Sequence, residues 1–332
     1  MKERELIEFI RTLTKAEGPG LVQAIGDDCA VIEKDGVTVR LLTMDTLVAS
    51  VHFDMTLHPP RLLGRKAVSV NVSDIAAMGG RPVFVLLSLG LPAGFDESWA
   101  LDLCRGITGA CRQYGCQLIG GDTVRTPGNV ALTLTVIGEM ERDRVLYRRM
   151  ARVGDIIWVT GPLGLSAAGL DLLRKGIRPG DSDLQPLFDA HLDPLARTDF
   201  GPLLAQSGMV HAMMDLSDGL ATDLSHLCAC SGVGAEIFQD RLPGIDQLGK
   251  AQHLLCADSL KWILDGGEDY ELLFTASSGR SSQLKTLARE HNLQLHGVGR
   301  IVEGQGVKIY STEGAEEEQD ITYMGFDHFN KS

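Results

Sequence analysis

Acidic residues punctuate this chain where its apolar runs stop. Gly26-Asp27-Asp28, Asp45, Asn71 with Asp74, Gly120-Gly121-Asp122 and Asp215-Leu216-Ser217-Asp218-Gly219 each sit where a run gives way to a turn, or on the polar face of a helix. A fold that gathers the ends of its core elements therefore gathers carboxylates. Two like charges about 4 Å apart repel by roughly 4 kcal/mol at an effective dielectric near 20, so something positive must hold them. Magnesium is the economical answer, and magnesium held by several carboxylates goes with phosphate chemistry.

The 332 residues are long for one core and predict two domains. With 31 Lys and Arg against 44 Asp and Glu, the net charge is −13. That balance argues against nucleic-acid and anionic-membrane partners, which need a basic footprint. A phosphate-binding protein of this charge must rely on metals and a few well-placed arginines. The seven cysteines form no C-x-x-C pair and no zinc spacing, and read as reduced thiols of a cytoplasmic protein. No apolar stretch reaches a membrane span, and Met1-Lys2-Glu3-Arg4-Glu5 lacks a signal-peptide core.

Periodicity predicts alternating strands and helices. In the first half these are an amphipathic helix over 3–14, strands over 29–33 and 37–44 joined by a Lys34-Asp35-Gly36 turn, and a helix from Pro59-Pro60 to Ala77. A strand over 83–91, a helix over 97–114 and strands over 117–119 and 130–140 follow. The basic stretch 142–152 marks the boundary, giving domains 1–150 and 151–332. The second half offers strands over 155–160, 210–214, 234–238, 271–275, 294–301 and 307–310. Helices are predicted from Ser166 and over 193–206, 220–230 and 282–291. The fold class is α/β with mixed sheets.

Taken singly, each acidic motif has a plain explanation. Gly26-Asp27-Asp28 suits a solvated turn, Ser217 or Asp218 an N-cap, and Gly120-Gly121 a tight turn. Asn71 and Asp74 are different: three apart on a helix and surrounded by the apolar Ala67, Val68, Val70, Val72, Ile75, Ala76 and Ala77, they share one face and need partners. Asp74 also lies near the helix C-terminus, where the dipole disfavours an anion. If the Asp35-Gly36 hairpin forms, Asp28 and Asp45 fall in the same region. Arg148 and Arg149 are the only concentrated positive charge beside this acidic set, and either suits polyphosphate. His52 reads first as an ordinary satisfied histidine. There is no GxxxxGK[ST], no HRD/DFG set, no GxSxG and no HExxH.

In this order the motifs are similar to those of the thiamine-monophosphate kinases, within the aminoimidazole ribonucleotide synthetase-like superfamily. The matching segments are Gly26-Asp27-Asp28-Cys29-Ala30, Asp45-Thr46-Leu47-Val48, His52-Phe53, 71–79, Gly120-Gly121-Asp122-Thr123, 215–220, 266–272 and Gly325-Phe326-Asp327-His328-Phe329. The resemblance implies a two-domain homodimer that uses ATP and several Mg²⁺ ions to convert thiamine monophosphate to thiamine diphosphate. It implies Asp28, Thr43, Met44, Asp45, Asp74, Asp122, Asp215 and Asp218 as magnesium ligands. Gly121, Asp122, Arg148 and Ser217 would contact ATP, and His52, Glu268 and Phe326 the thiamine moiety. Met44 stands where relatives commonly carry a hydroxyl residue. No residue stands out as a nucleophile, so direct transfer is expected. Selenophosphate synthetase would need a reactive Cys near the N-terminus, the hydrogenase-maturation relative a C-terminal Cys, and a non-catalytic nucleotide-binding regulator would have no use for the intact acidic set.

Overall fold

The computed structural model describes residues 3–14 and 17–325. The first half comprises α1 (Glu3–Leu13), β1 (Leu21–Gln23), β2 (Ala30–Glu33), β3 (Thr38–Val48), α2 (Pro60–Ala77), β4 (Arg81–Pro92), α3 (Glu97–Tyr114), β5 (Gln117–Thr126) and β6 (Ala131–Glu141). Its strands form one mixed sheet in the order β1-β2-β3-β6-β4-β5, with only β4 and β5 parallel. The second half begins with β7 (Asp155–Val159), α4 (Leu165–Arg174), α5 (Gln185–Leu192), α6 (Gly201–Ser207) and β8 (Val210–Asp215). It continues through α7 (Leu220–Ser231), β9 (Gly234–Phe238), α8 (Ile245–Leu255), α9 (Ser259–Asp265), β10 (Leu272–Ser277), α10 (Ser281–Glu290), β11 (His296–Val302), β12 (Val307–Tyr310) and β13 (Glu318–Asp320). Its sheet runs β13-β12-β9-β11-β7-β10-β8. The α/β class with two mixed sheets is as the sequence predicts.

Local chemistry explains the elements that carry the acids. Asp35 closes the β2–β3 hairpin, its carboxylate accepting from the N–H groups of Val37 at 2.9 Å and Thr38 at 2.7 Å. On β3, Val39, Leu41, Thr43, Asp45 and Leu47 alternate onto one face, and Arg40, Met44 and Thr46 onto the other. Helix α2 begins on Pro60, whose missing N–H costs nothing at a first turn. It is buried on both sides, and Lys66, Ser69, Asn71 and Ser73 are buried along with its apolar residues. One side meets the first sheet and α3, the other α5, α6 and β8 of the second half.

The structure corrects several expectations. Asp45 lies inside β3, which continues to Val48, rather than at a strand end. Gly120-Gly121-Asp122-Thr123 lies within β5, not in a turn after it. Gly121 holds φ at 152°, and a Cβ there would stand 1.8 Å from the Leu87 carbonyl oxygen, so glycine is what lets β5 pair closely with β4 just past its own bulge at Ile119. Of the helix expected over 193–206 only α6, from Gly201, forms; α5 ends at Leu192, where Pro194 keeps Asp193 out of helical geometry (φ −142°, ψ 56°), and residues 193–200 are irregular. The sequence reading also passed over α8 and α9, although Asp258 caps α9 through Leu260 N–H at 2.9 Å. Helix α1 forms as expected, but its apolar face is not buried within the chain. No helix among the described residues is long and apolar enough to cross a membrane.

The close approach at Gly121 is testable. Gly121→Ala should lower stability by about 2 kcal/mol or more, since it strains both φ and a backbone contact. An unchanged denaturant midpoint would contradict the β4–β5 pairing described here.

Candidate active site

Carboxylate oxygens of Asp28, Asp74 and Asp215 all lie within 4.8 Å of one another. They come from the loop before β2, from α2 and from the last residue of β8, so both halves contribute. Asp74 accepts from the Thr43 hydroxyl, and Ser73 donates to Asp215 at 2.6 Å. β2 begins only at Ala30, opposite Leu42. The rest of β3 therefore has an open edge, and the Asp45 N–H reaches across it to Asn71 Oδ1 at 3.0 Å. Arg148 closes the cluster from the connector, paired with Asp28 and lying 3.8 Å from Asp27.

The electrostatics of this cluster favour a cation. Burial, then the charges of Asp45, Asp215 and Asp28, push Asp74 well above the ordinary carboxylate range. Burial and Asp28 push Asp215 up to about 7 against the opposing pull of Ser73 and Arg148. Burial also raises Asp28, although Arg148 beside it works the other way. One oxygen of Asp28 is buried with no partner. Clustered hard oxygen donors, one of them orphaned, fit a divalent cation such as Mg²⁺.

Two loops of the second half flank the cluster and are zipped together. Glu268 N–H donates to Ser217 O and Tyr270 N–H to Leu216 O, each at 2.8 Å, and Leu216 N–H returns to Glu271 O at 2.9 Å. A Cβ on Gly267 would meet the Ser217 carbonyl at 2.3 Å, so that glycine is needed for the contact. Neither Ser217 nor Asp218 caps α7. Asp223, inside the helix, instead holds the loop that precedes it, accepting from the N–H groups of Ser217 at 3.0 Å and Asp218 at 3.1 Å. The sequence reading missed Asp223, and its signal was an acid within five residues of Asp218 at a helix start.

Ser217 and Asp218 line two cavities. One, of about 900 Å³, also has Asp45, His52, Trp262 and Glu268 in its wall. The other, of about 330 Å³, has Gly26, Arg148 and Asp223. His52 accepts from Val48 N–H through Nδ1 at 3.0 Å, which puts the neutral ring's proton on Nε2.

Other predicted site residues stand apart. Met44 is 64% exposed on the opposite face of β3 from Thr43 and Asp45, so its thioether points away from the acids. Gly121 and Asp122 lie on β5, the exposed edge of the first sheet. The register Asp45↔Leu134↔Leu87↔Gly121 puts three strand spacings, about 14 Å, between Asp45 and Gly121. Within one chain they do not reach the cluster. Phe326 lies outside the described residues.

This two-sheet architecture with acids at the junction defines a class. Residues 26–140 match the family described as AIR synthase related protein, N-terminal domain, and residues 152–311 its C-terminal domain. Thiamine-monophosphate kinase of Haemophilus influenzae is 37% identical over 312 residues, covering 93% of this chain and 92% of the relative. That of Bacillus subtilis is 35% identical over 307 residues, covering 92% and 93%. A solved structure of AaThiL complexed with AMPPCP and TMP superposes with a TM-score of 0.83 at 34% identity, covering 96% of each chain. The chain belongs to the thiamine-monophosphate kinase family.

The raised carboxylates give a signed pH prediction. Asp215 keeps its proton in the folded state to about pH 7, whereas an unfolded aspartate loses it near pH 4. Between those values the folded state binds more protons, so this group's contribution to stability falls as pH rises through that window. In chelator, the melting temperature of the wild type should drop more between about pH 5 and about pH 8 than that of Asp215→Asn. Mg²⁺ should restore most at the higher pH. Equal pH slopes for the two proteins would contradict the cluster's electrostatics.

Proposed function

We propose that this chain transfers the γ-phosphoryl group of ATP to thiamine monophosphate, giving thiamine diphosphate and ADP. The observation that carries the reading is the convergence of Asp28, Asp74 and Asp215 from both halves beside two cavities that share Ser217 and Asp218. Similarity to thiamine-monophosphate kinases over 92–93% of the chain supports the choice of substrate.

In this reading the smaller cavity, with Arg148 and Ser217, receives ATP. The larger one, with His52 and Glu268, receives thiamine monophosphate, and the two phosphates meet at the shared wall. Asp28, Asp45, Asp74, Asp215 and Asp218, with Thr43, are the proposed magnesium ligands, and Met44 would serve only through its carbonyl. Bound there, Mg²⁺ supplies the positive charge that lets two anions approach. Arg148, already held against Asp28 and Asp27, is placed to stabilise charge on the transferring group. A terminal phosphate oxygen of thiamine monophosphate attacks the γ-phosphorus as the bond to the β-bridging oxygen breaks. That oxygen is largely ionised at neutral pH, so the chain need supply no general base and no nucleophile.

The same reading assigns residues 1–150 to magnesium, ATP phosphates and dimer formation, and 151–332 to completing the nucleotide and substrate sites. A homodimer would cover the exposed β5 edge, where Ile119 and Val124 are exposed. It would also give Gly121 and Asp122 an ATP to contact in the partner's cleft. We place the enzyme in the cytoplasm, in keeping with its free thiols.

Incubation with ATP, Mg²⁺ and thiamine monophosphate should yield thiamine diphosphate by chromatography, and its absence would refute the assignment. Asp74→Asn and Asp218→Asn should each lower kcat by about 10²-fold or more while melting near the wild type. Near-normal turnover in both would remove the metal roles. With chiral γ-phosphorus, inversion is expected, and retention would rule out direct transfer.

A further inference from the structure

Lys66 is completely buried on α2, and its ammonium group meets Glu268 Oε1 at 2.8 Å and the His191 carbonyl at 3.2 Å. His191 Nδ1 lies 3.4 Å from the other Glu268 oxygen. An ammonium ion so deep in the protein is stable only with a carboxylate beside it. Burial alone would push Glu268 up, but Lys66 and then His191 outweigh it and hold the carboxylate below its usual range. Burial and Lys66 push His191 itself down, so Lys66 is the counter-charge. Glu268 sits in a left-handed turn, φ 68°, which a glutamate adopts only when its surroundings fix it. It is fixed by the Lys66 pair on one side and its own N–H to Ser217 O on the other.

We infer that Lys66 is a positioning residue for the organic end of the substrate, acting through Glu268; this rests on the reading of the large cavity given above. Glu268, in the wall of that cavity, is already neutralised before any ligand arrives. It therefore meets a cationic ring as an oriented acceptor, in place of a bare anion that would attract any cation. Lys66 also stands eight residues before Asp74 on the same rigid helix, about 12 Å at 1.5 Å per residue. One helix thus sets the distance between the group that receives the ring and the acids that face the phosphate. A substrate with its ring and phosphate at opposite ends is measured against that spacing.

The test compares Lys66→Met, Glu268→Gln and the double variant, with a melt of each taken first. Lys66→Met should raise KM for thiamine monophosphate about tenfold or more, with kcat and KM for ATP within about threefold of wild type. An unchanged KM for thiamine monophosphate overturns the inference. If Lys66 acts only through Glu268, the double variant has the KM of Glu268→Gln, and a further rise overturns it. Should Lys66→Met fail to fold, the double variant takes its place, since it leaves no charge buried alone. Misfolding of the double variant when Glu268→Gln folds would give Lys66 a structural role only, which also overturns the inference. If the wild type makes no thiamine diphosphate, the catalytic reading falls by itself. Calorimetric Kd values for thiamine monophosphate, wild type against Lys66→Met, then decide the role of Lys66.

Discussion

The burial of α2 from both sides is the constraint on which the site depends. A helix pressed between a sheet and a second domain has no water for its polar groups, so each must find a partner in the protein. The partners are spread over the whole site. Lys66 finds Glu268, Ser69 the Tyr114 hydroxyl, Asn71 the backbone of Asp45, Ser73 the Asp215 carboxylate, and Asp74 the Thr43 hydroxyl. Satisfying one buried helix therefore aligns β3, β8 and the loop before β10 in a single step. The acids are gathered as a by-product of that satisfaction.

The gathering has an electrostatic cost that the fold meets only in part. Arg148 faces Asp28 and Asp27, but among the described residues no group of opposite charge is paired with Asp74, whose carboxyl burial and its acidic neighbours push well above the ordinary range. A site with one resident cation and a surplus of carboxylate is suited to receive more positive charge. It is unsuited to hold a phosphate ester by itself.

Much of this was legible in the sequence, for identifiable reasons. The α2 pattern, polar at Asn71 and Asp74 among apolar residues, reads as a buried helix whose polar groups need partners, and they have them in Asp45 and Thr43. The β2–β3 hairpin followed from Asp35-Gly36. What periodicity could not give was distance across a sheet. Asp122 reads like Asp28 in one dimension, yet strand order puts it on the far edge, and a glycine that looked like a turn proved to be a device for close strand pairing. Lys66 was invisible for the opposite reason. A lysine on a helix is ordinarily at the surface, and nothing local announces that its partner lies two hundred residues away. Helices α8 and α9 were lost among polar residues whose apolar face shows only once packed.

The shared burial of α2 also bears on how the molecule comes apart. A helix that completes the core of one half and walls the other belongs to neither alone. Pulling the halves apart would strand Lys66 and Ser73 without Glu268 and Asp215, and would bare apolar surface on both sides. Despite the two sheets, heat or denaturant should therefore take both halves in one transition.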